Sequence, residues 1–170
     1  MPKIINIHTA NFERNPKAPE DFQLLTLMPR ISKAAQSKHL VFDVRKLEPG
    51  RYSFPYHFHH HAEELMYLIS GAMMMRSPDG FKALKQGDLV YFEMGPEGAH
   101  QFYNQGKTVC VYLDIRTSFG VDVSEYPDSG KINLLPYQEV YEKKSKVGYF
   151  KGEEKISDIW NTLRENDDRH

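Results

Sequence analysis

Pro55-Tyr56-His57-Phe58-His59-His60-His61-Ala62-Glu63-Glu64 runs straight into Leu65-Met66-Tyr67-Leu68-Ile69 and closes on Gly71. Four of the chain's eight histidines fall in this stretch, followed at once by two carboxylates. Neutral imidazole with carboxylate is the donor set that divalent first-row metals favour, so the stretch reads first as a metal site. Pro55 and the aromatics disfavour a helix, and the run from Leu65 to Ile69 is short, β-prone and bounded by glycine. In a strand, His57 and His59 point one way while Phe58 and His60 point the other. With residues 60–63 as the turn of a hairpin, His59 is expected opposite Glu64, roughly 5 Å away, where both reach one ion. Using Glu63 instead would shorten the turn and reverse the facing. His60 is then expected to face away from the ion, and His61 to belong to the turn. Two alternatives stay open. A helix would align His57, His61 and Glu64 on one face, and a solvated histidine-rich turn would hold no ion.

A second stretch supplies a further donor. Gly87-Asp88 is a turn signal leading into Leu89-Val90-Tyr91-Phe92, and Gly95-Pro96-Glu97-Gly98 forces a tight reversal. His100 opens the next strand, with Phe102 and Asn104 on its face. Alone, His100 reads as an ordinary half-buried histidine; beside the first stretch it becomes a candidate ligand.

Together the two stretches resemble the motifs of the cupin family. The first is carried by Gly50, Pro55, His57, His59, Glu64 and Gly71, the second by Gly87-Asp88, Pro96, Gly98, His100 and Asn104. The gap from Gly50 to His57 is one residue longer than usual, and that from Gly98 to His100 one shorter. The resemblance spans roughly residues 39–117. It implies an all-β, double-stranded β-helix (jelly-roll, or cupin) barrel, with His57, His59, Glu64 and His100 as ligands of one divalent transition metal: Mn, Fe, Zn, Ni or Co.

The rest of the chain fits one domain of three zones. At 170 residues, 40% hydrophobic and 12% aromatic, it is long enough to bury a sizeable core. Residues 1–38, punctuated by Pro16, Pro19 and Pro29, read as an N-terminal arm of loops and edge strands packing on the barrel or on a second subunit. Strands are expected over residues 39–48, 54–59, 64–70, 72–76, 81–85, 88–92, 100–104 and 108–116, with a hairpin turn at Ser77-Pro78-Asp79-Gly80. The extension 118–170 is less regular, with one more strand over 131–135. Ile156, Ile159, Trp160 and Leu163 follow a helical spacing, so a short C-terminal helix capped by Ser157 is expected, its stripe covering a barrel face or a partner. Residues 166–170 are expected to fray, with His170 no ligand. The lone Cys110 excludes an intramolecular disulfide and reads as a buried thiol. With a net charge of −1 and no basic block, nucleic acid is not an expected partner. No run approaches a membrane span and no signal peptide is evident, so the expected location is cytoplasmic.

The same alternation that places the ligands makes Met66 and Phe102 candidate pocket walls, with barrel core as the alternative for both. The expected partner is a small-molecule substrate. The leading expectation is a sugar or sugar-phosphate isomerase or epimerase, in which Glu64 serves as catalytic carboxylate and Arg76, Lys82, Lys85 or Arg116 anchors a phosphate. The alternatives are an Fe(II)-dependent dioxygenase and a non-catalytic small-molecule-binding module. A homodimer is expected from the resemblance, the arm and the helix stripe.

Overall fold

The structure, a computed structural model, describes residues 2–167. The arm contributes β1 (Asn11–Arg14), β2 (Leu25–Met28) and a short helix α1 (Ile31–Ala35). The barrel begins with β3 (Leu40–Leu47) and β4 (Phe58–His59), then β5 (Glu64–Ser70), β6 (Ala72–Ser77) and β7 (Gly80–Lys85). Next come β8 (Leu89–Phe92), β9 (Gln101–Tyr103) and β10 (Cys110–Thr117). The extension adds β11 (Asp122–Tyr126), β12 (Lys131–Leu135), β13 (Glu139–Glu142) and the helix α2 (Ile156–Asp167).

The strands are antiparallel and form three sheets, ordered β1-β2-β3-β10-β5-β8, β13-β12-β11-β4 and β7-β6-β9. The all-β double-stranded β-helix with an arm and a C-terminal helix is therefore the architecture. Period-two alternation gives the interior of the first sheet two distinct ends. Leu47 on β3, Met66 and Leu68 on β5, and Cys110 and Tyr112 on β10 join Met73, Phe92 and Phe102 in the apolar core. Further along the same inward rows stand Asp43, Arg45, Glu64, Asp114 and Arg116, which line a cavity. One end of the barrel is thus packed and the other is polar. The opposite face of this sheet carries Phe42, Val44, Val111 and Leu113, covered by Ile7, Phe12, Leu27 and Ile31 of the arm. The arm therefore packs on its own barrel.

Two motif residues explain themselves by local geometry. A Cβ on Gly98 would lie 1.9 Å from the Glu93 carbonyl oxygen, so no side chain fits beneath the reversal before His100. Asn104 is fully buried; its Nδ2 donates to the carbonyls of Leu47 and Thr108, and its Oδ1 accepts from Gly106 N–H. It clamps the β9–β10 connection and does not face the cavity.

Several expectations need correction. Residues 54–57 form no strand; the chain there is tied by one bridge, His57 to His100, because Pro55 has no N–H to offer a ladder. No hairpin joins β4 to β5: β4 pairs with β11, with His59 opposite Ser124. The extension is more regular than expected, since β11 and β13 flank the anticipated strand 131–135. Helix α2 starts at Ile156, two residues before a cap at Ser157 would allow, and continues through Asp167 where fraying was expected. Its apolar stripe is exposed and covers no barrel face. Residues 168–170, including His170, lie outside the described residues. Among the described residues, no helix is long and apolar enough to cross a membrane.

Candidate metal centre

Four side chains converge on the polar end of the barrel from three places. His57 and His59 come from the run through β4, Glu64 opens β5, and His100 directly precedes β9. His57 and His100 are fixed to each other by paired backbone hydrogen bonds, N–H to O at 3.3 Å and 2.9 Å. Glu64 then reaches these histidines across the barrel interior, from a different sheet, and not across a hairpin. The donor atoms of His57, His59 and Glu64 lie within 4.8 Å of one another, in an arrangement that could hold a metal ion. His100 joins through Glu64: its Nε2 lies 3.3 Å from Glu64 Oε2, while His59 Nε2 lies 3.3 Å from Oε1.

Partners on the outer nitrogens turn the inner ones toward the cavity. His57 Nδ1 donates to the Pro55 carbonyl and His100 Nδ1 to the Gly98 carbonyl, each at 2.9 Å. A carbonyl only accepts, so Nδ1 of each carries a proton; His57, kept neutral by burial, leaves its Nε2 bare. His59 Nδ1 faces a carboxylate instead, Asp122 Oδ2 at 2.5 Å. Asp122 is held in turn by the His61 backbone N–H at 2.9 Å and by Arg116 Nη1 at 3.1 Å. Partners of this kind orient metal-binding imidazoles and raise their basicity. Phe92 stacks on the His100 ring at 3.7 Å and Tyr126 on the His57 ring at 5.8 Å.

The electrostatics follow from burial and these partners. Burial opposes the charge on Glu64, but hydrogen bonding to His59 and the three neighbouring imidazoles hold its carboxyl well below the usual range. Burial, then the charge of His100, lowers His57 to about 3. Asp114 goes the other way: burial pushes it up, against the opposing charge of Arg45.

The remaining sequence candidates divide clearly. Met66 and Phe102 point inward but lie past the cavity floor, 2% and 3% exposed in the apolar core. Two residues further along a strand is roughly 7 Å deeper, so alternation gave the right side and the wrong depth. Of the four proposed phosphate anchors only Arg116 lines the cavity. Arg76 is engaged by both oxygens of Asp128, and Lys82 and Lys85 stand exposed on β7. His60 faces Glu125 at 3.1 Å, and His61 is exposed. Sequence reasoning missed Asp122, Ser124 and Tyr126, on a strand too polar to stand out, Arg45 and Asp114, for which alternation along β3 and β10 was the available signal, and Arg30, which carried none.

The cavity has a volume of about 280 Å³. Residues 44–116 match the family model described as a cupin domain. No curated protein matches the chain by sequence. A solved structure named sugar phosphate isomerase of the cupin superfamily, from Silicibacter pomeroyi, aligns with a TM-score of 0.73 at 18% identity, over 86% of this chain and 98% of that one. A putative sugar phosphate isomerase from Acidithiobacillus ferrooxidans gives 0.70 at 22% identity, over 85% and 95%. A polyketide cyclase from Streptomyces resistomycificus gives 0.55 at 21%, over 69% and 80%. Likeness at these identities shows the fold.

Proposed function

We propose, from the premise that residues 44–116 are a cupin domain, that the chain binds one divalent transition metal through His57, His59, Glu64 and His100 and isomerises or epimerises a sugar or sugar phosphate. The observation that carries this reading is the carboxylate of Glu64, each of whose oxygens faces a histidine Nε2 at 3.3 Å in a cavity lined by further charged groups. The donor set, imidazole nitrogens with one carboxylate, suits Mn, Fe, Co, Ni or Zn. Bound there, such an ion supplies Lewis-acid polarisation of adjacent substrate oxygens, which eases proton movement between neighbouring carbons.

The chain's own residues supply the rest. Glu64, held ionised, is suited to hold a cation and is a weak proton acceptor. Asp114 faces the same cavity, with its carboxyl raised and steadied by Arg45 Nε at 3.2 Å, and we assign proton transfer to it. Arg45 and Arg116 line the walls, each paired with a carboxylate, Asp114 and Asp122. The near-complete coverage of two structures named for sugar phosphate isomerisation supports this substrate class.

The test begins with elemental analysis of protein purified without chelator or nickel affinity. His57→Ala, His59→Ala and His100→Ala are each expected to lose stoichiometric metal, and full retention in all three would overturn the site. A sugar and sugar-phosphate panel is then expected to show turnover without oxygen uptake, lost in Asp114→Asn while metal is kept. Turnover that requires dioxygen would replace this reading with an Fe(II)-dependent dioxygenase.

A further inference from the structure

The metal-facing cavity is not closed. Arg30, Arg45, Phe54 and Pro55 line both it and a second cavity of about 740 Å³ that runs beneath the N-terminal arm. Strand β12 passes along both. By alternation Lys131, Asn133 and Leu135 share one face of it; Asn133 and Leu135 line the metal-facing cavity, and Lys131 lines the second.

Two polar groups on this strand lack protein partners. Asn133 Oδ1 is buried, and no protein donor reaches it. A buried acceptor left unpaired is unfavourable, and a ligand hydroxyl would supply its missing donor. Among the lining cations, Arg14 pairs with Glu48, Arg30 with Asp43, Arg45 with Asp114 and Arg116 with Asp122. Lys131 has no carboxylate partner among the described residues. It is half-buried, and its Nζ stands 5.3 Å over the ring of Tyr126, the same ring that stacks on His57. One aromatic ring therefore separates an uncommitted ammonium from a candidate metal ligand. Glu13 also lines the second cavity, and its carboxylate accepts from Asn11 Nδ2.

We propose that β12 reads the substrate: Lys131 takes the phosphate of a phosphorylated sugar beneath the arm, and Asn133 accepts a hydroxyl of the sugar lying toward His57 and Glu64. This rests on the reading of the metal cavity as a sugar-phosphate site and adds where each end of the substrate lies. A phosphate at Lys131 completes a charge pair where a wall cation otherwise has none, and the shared walls leave room for a molecule to span both cavities.

The test is calorimetric titration of metal-loaded protein with a panel of pentose and hexose phosphates and with the corresponding free sugars. At least one phosphorylated sugar is expected to bind about tenfold or more tighter than its free sugar, the size of one charge-assisted contact. Lys131→Ala and Lys131→Glu should erase that preference, Lys131→Arg should retain much of it, and Asn133→Ala should weaken phosphorylated and free sugars alike. Metal content and thermal denaturation of each variant show that the fold and the ion site persist. Absence of any preference for phosphorylated sugars in the wild type, or its survival in Lys131→Glu, overturns the proposal. Full metal with no phosphate preference fails this inference alone; loss of metal from the wild type fails the metal reading.

Discussion

His59 stands between two carboxylates, Asp122 on Nδ1 and Glu64 on Nε2. Burial alone would lower its pKa, but the hydrogen bonds to Asp122 and Glu64 outweigh that and raise it to about 9. His57, held at about 3, is neutral throughout the working range. A metal needs the His59 lone pair, so binding near neutral pH is expected to release about one proton, with affinity rising until about pH 9. Calorimetry in buffers of different ionisation enthalpy measures this, and proton-neutral binding would contradict it. In the metal-free protein the raised pKa also favours folding. That contribution is complete below the unfolded value of about 6.5 and is lost as pH rises through about 9. Asp122→Asn keeps a hydrogen-bonding side chain but removes the charge. Metal affinity, read by chelator competition, should fall roughly 10- to 100-fold, and an unchanged affinity would remove Asp122 from the site.

At the scale of elements, the site depends on connections as much as on strands. The reversal from Gly95 to Gly98 aims His100, and Gly98→Ala would drive a methyl group into the Glu93 carbonyl. A loss of about 3 kcal/mol in chemical denaturation is expected, together with weaker metal binding. Asn104→Leu should cost a similar amount, about 3 kcal/mol, by leaving buried carbonyls of Leu47 and Thr108 unpaired. Unlike Gly98→Ala, it should leave metal stoichiometry intact in the folded protein, because Asn104 does not face the cavity. Strand β5 was legible to the residue, since its apolar run is bounded by Glu64 and Gly71. Strand β11 was not, because Asp122-Val123-Ser124-Glu125-Tyr126 is polar on the side that meets the site and resembles a loop.

For the whole molecule, α2 is the element least tied to the rest. Ile156, Ile159, Trp160 and Leu163 are all exposed. Truncation after Lys155 is expected to shift Tm by less than about 2 °C and to leave metal binding unchanged. A larger shift in calorimetry would show that the helix has a partner. The expected homodimer stands as a proposal, supported by an exposed strip on the outer face of the first sheet: Tyr67, Leu89 and Tyr91, on the paired strands β5 and β8. Sedimentation equilibrium should give twice the 19.8 kDa chain mass, and Leu89→Glu should return it to one. A wild-type monomer would sink this proposal.

The sequence by itself determined the barrel and its candidate donors. Spacing of glycine, proline, histidine and glutamate is a local property, and strand alternation assigns each side chain to the inside or outside without knowledge of the partner strand. Only the tertiary structure decided how the donors meet. Glu64 faces His59 and His100 from a separate sheet, Asp122 arrives from a strand 63 positions beyond His59, and the cavity stops short of Met66 and Phe102. Sheet pairing and depth along the barrel axis depend on which distant strands become neighbours, and no local periodicity encodes that.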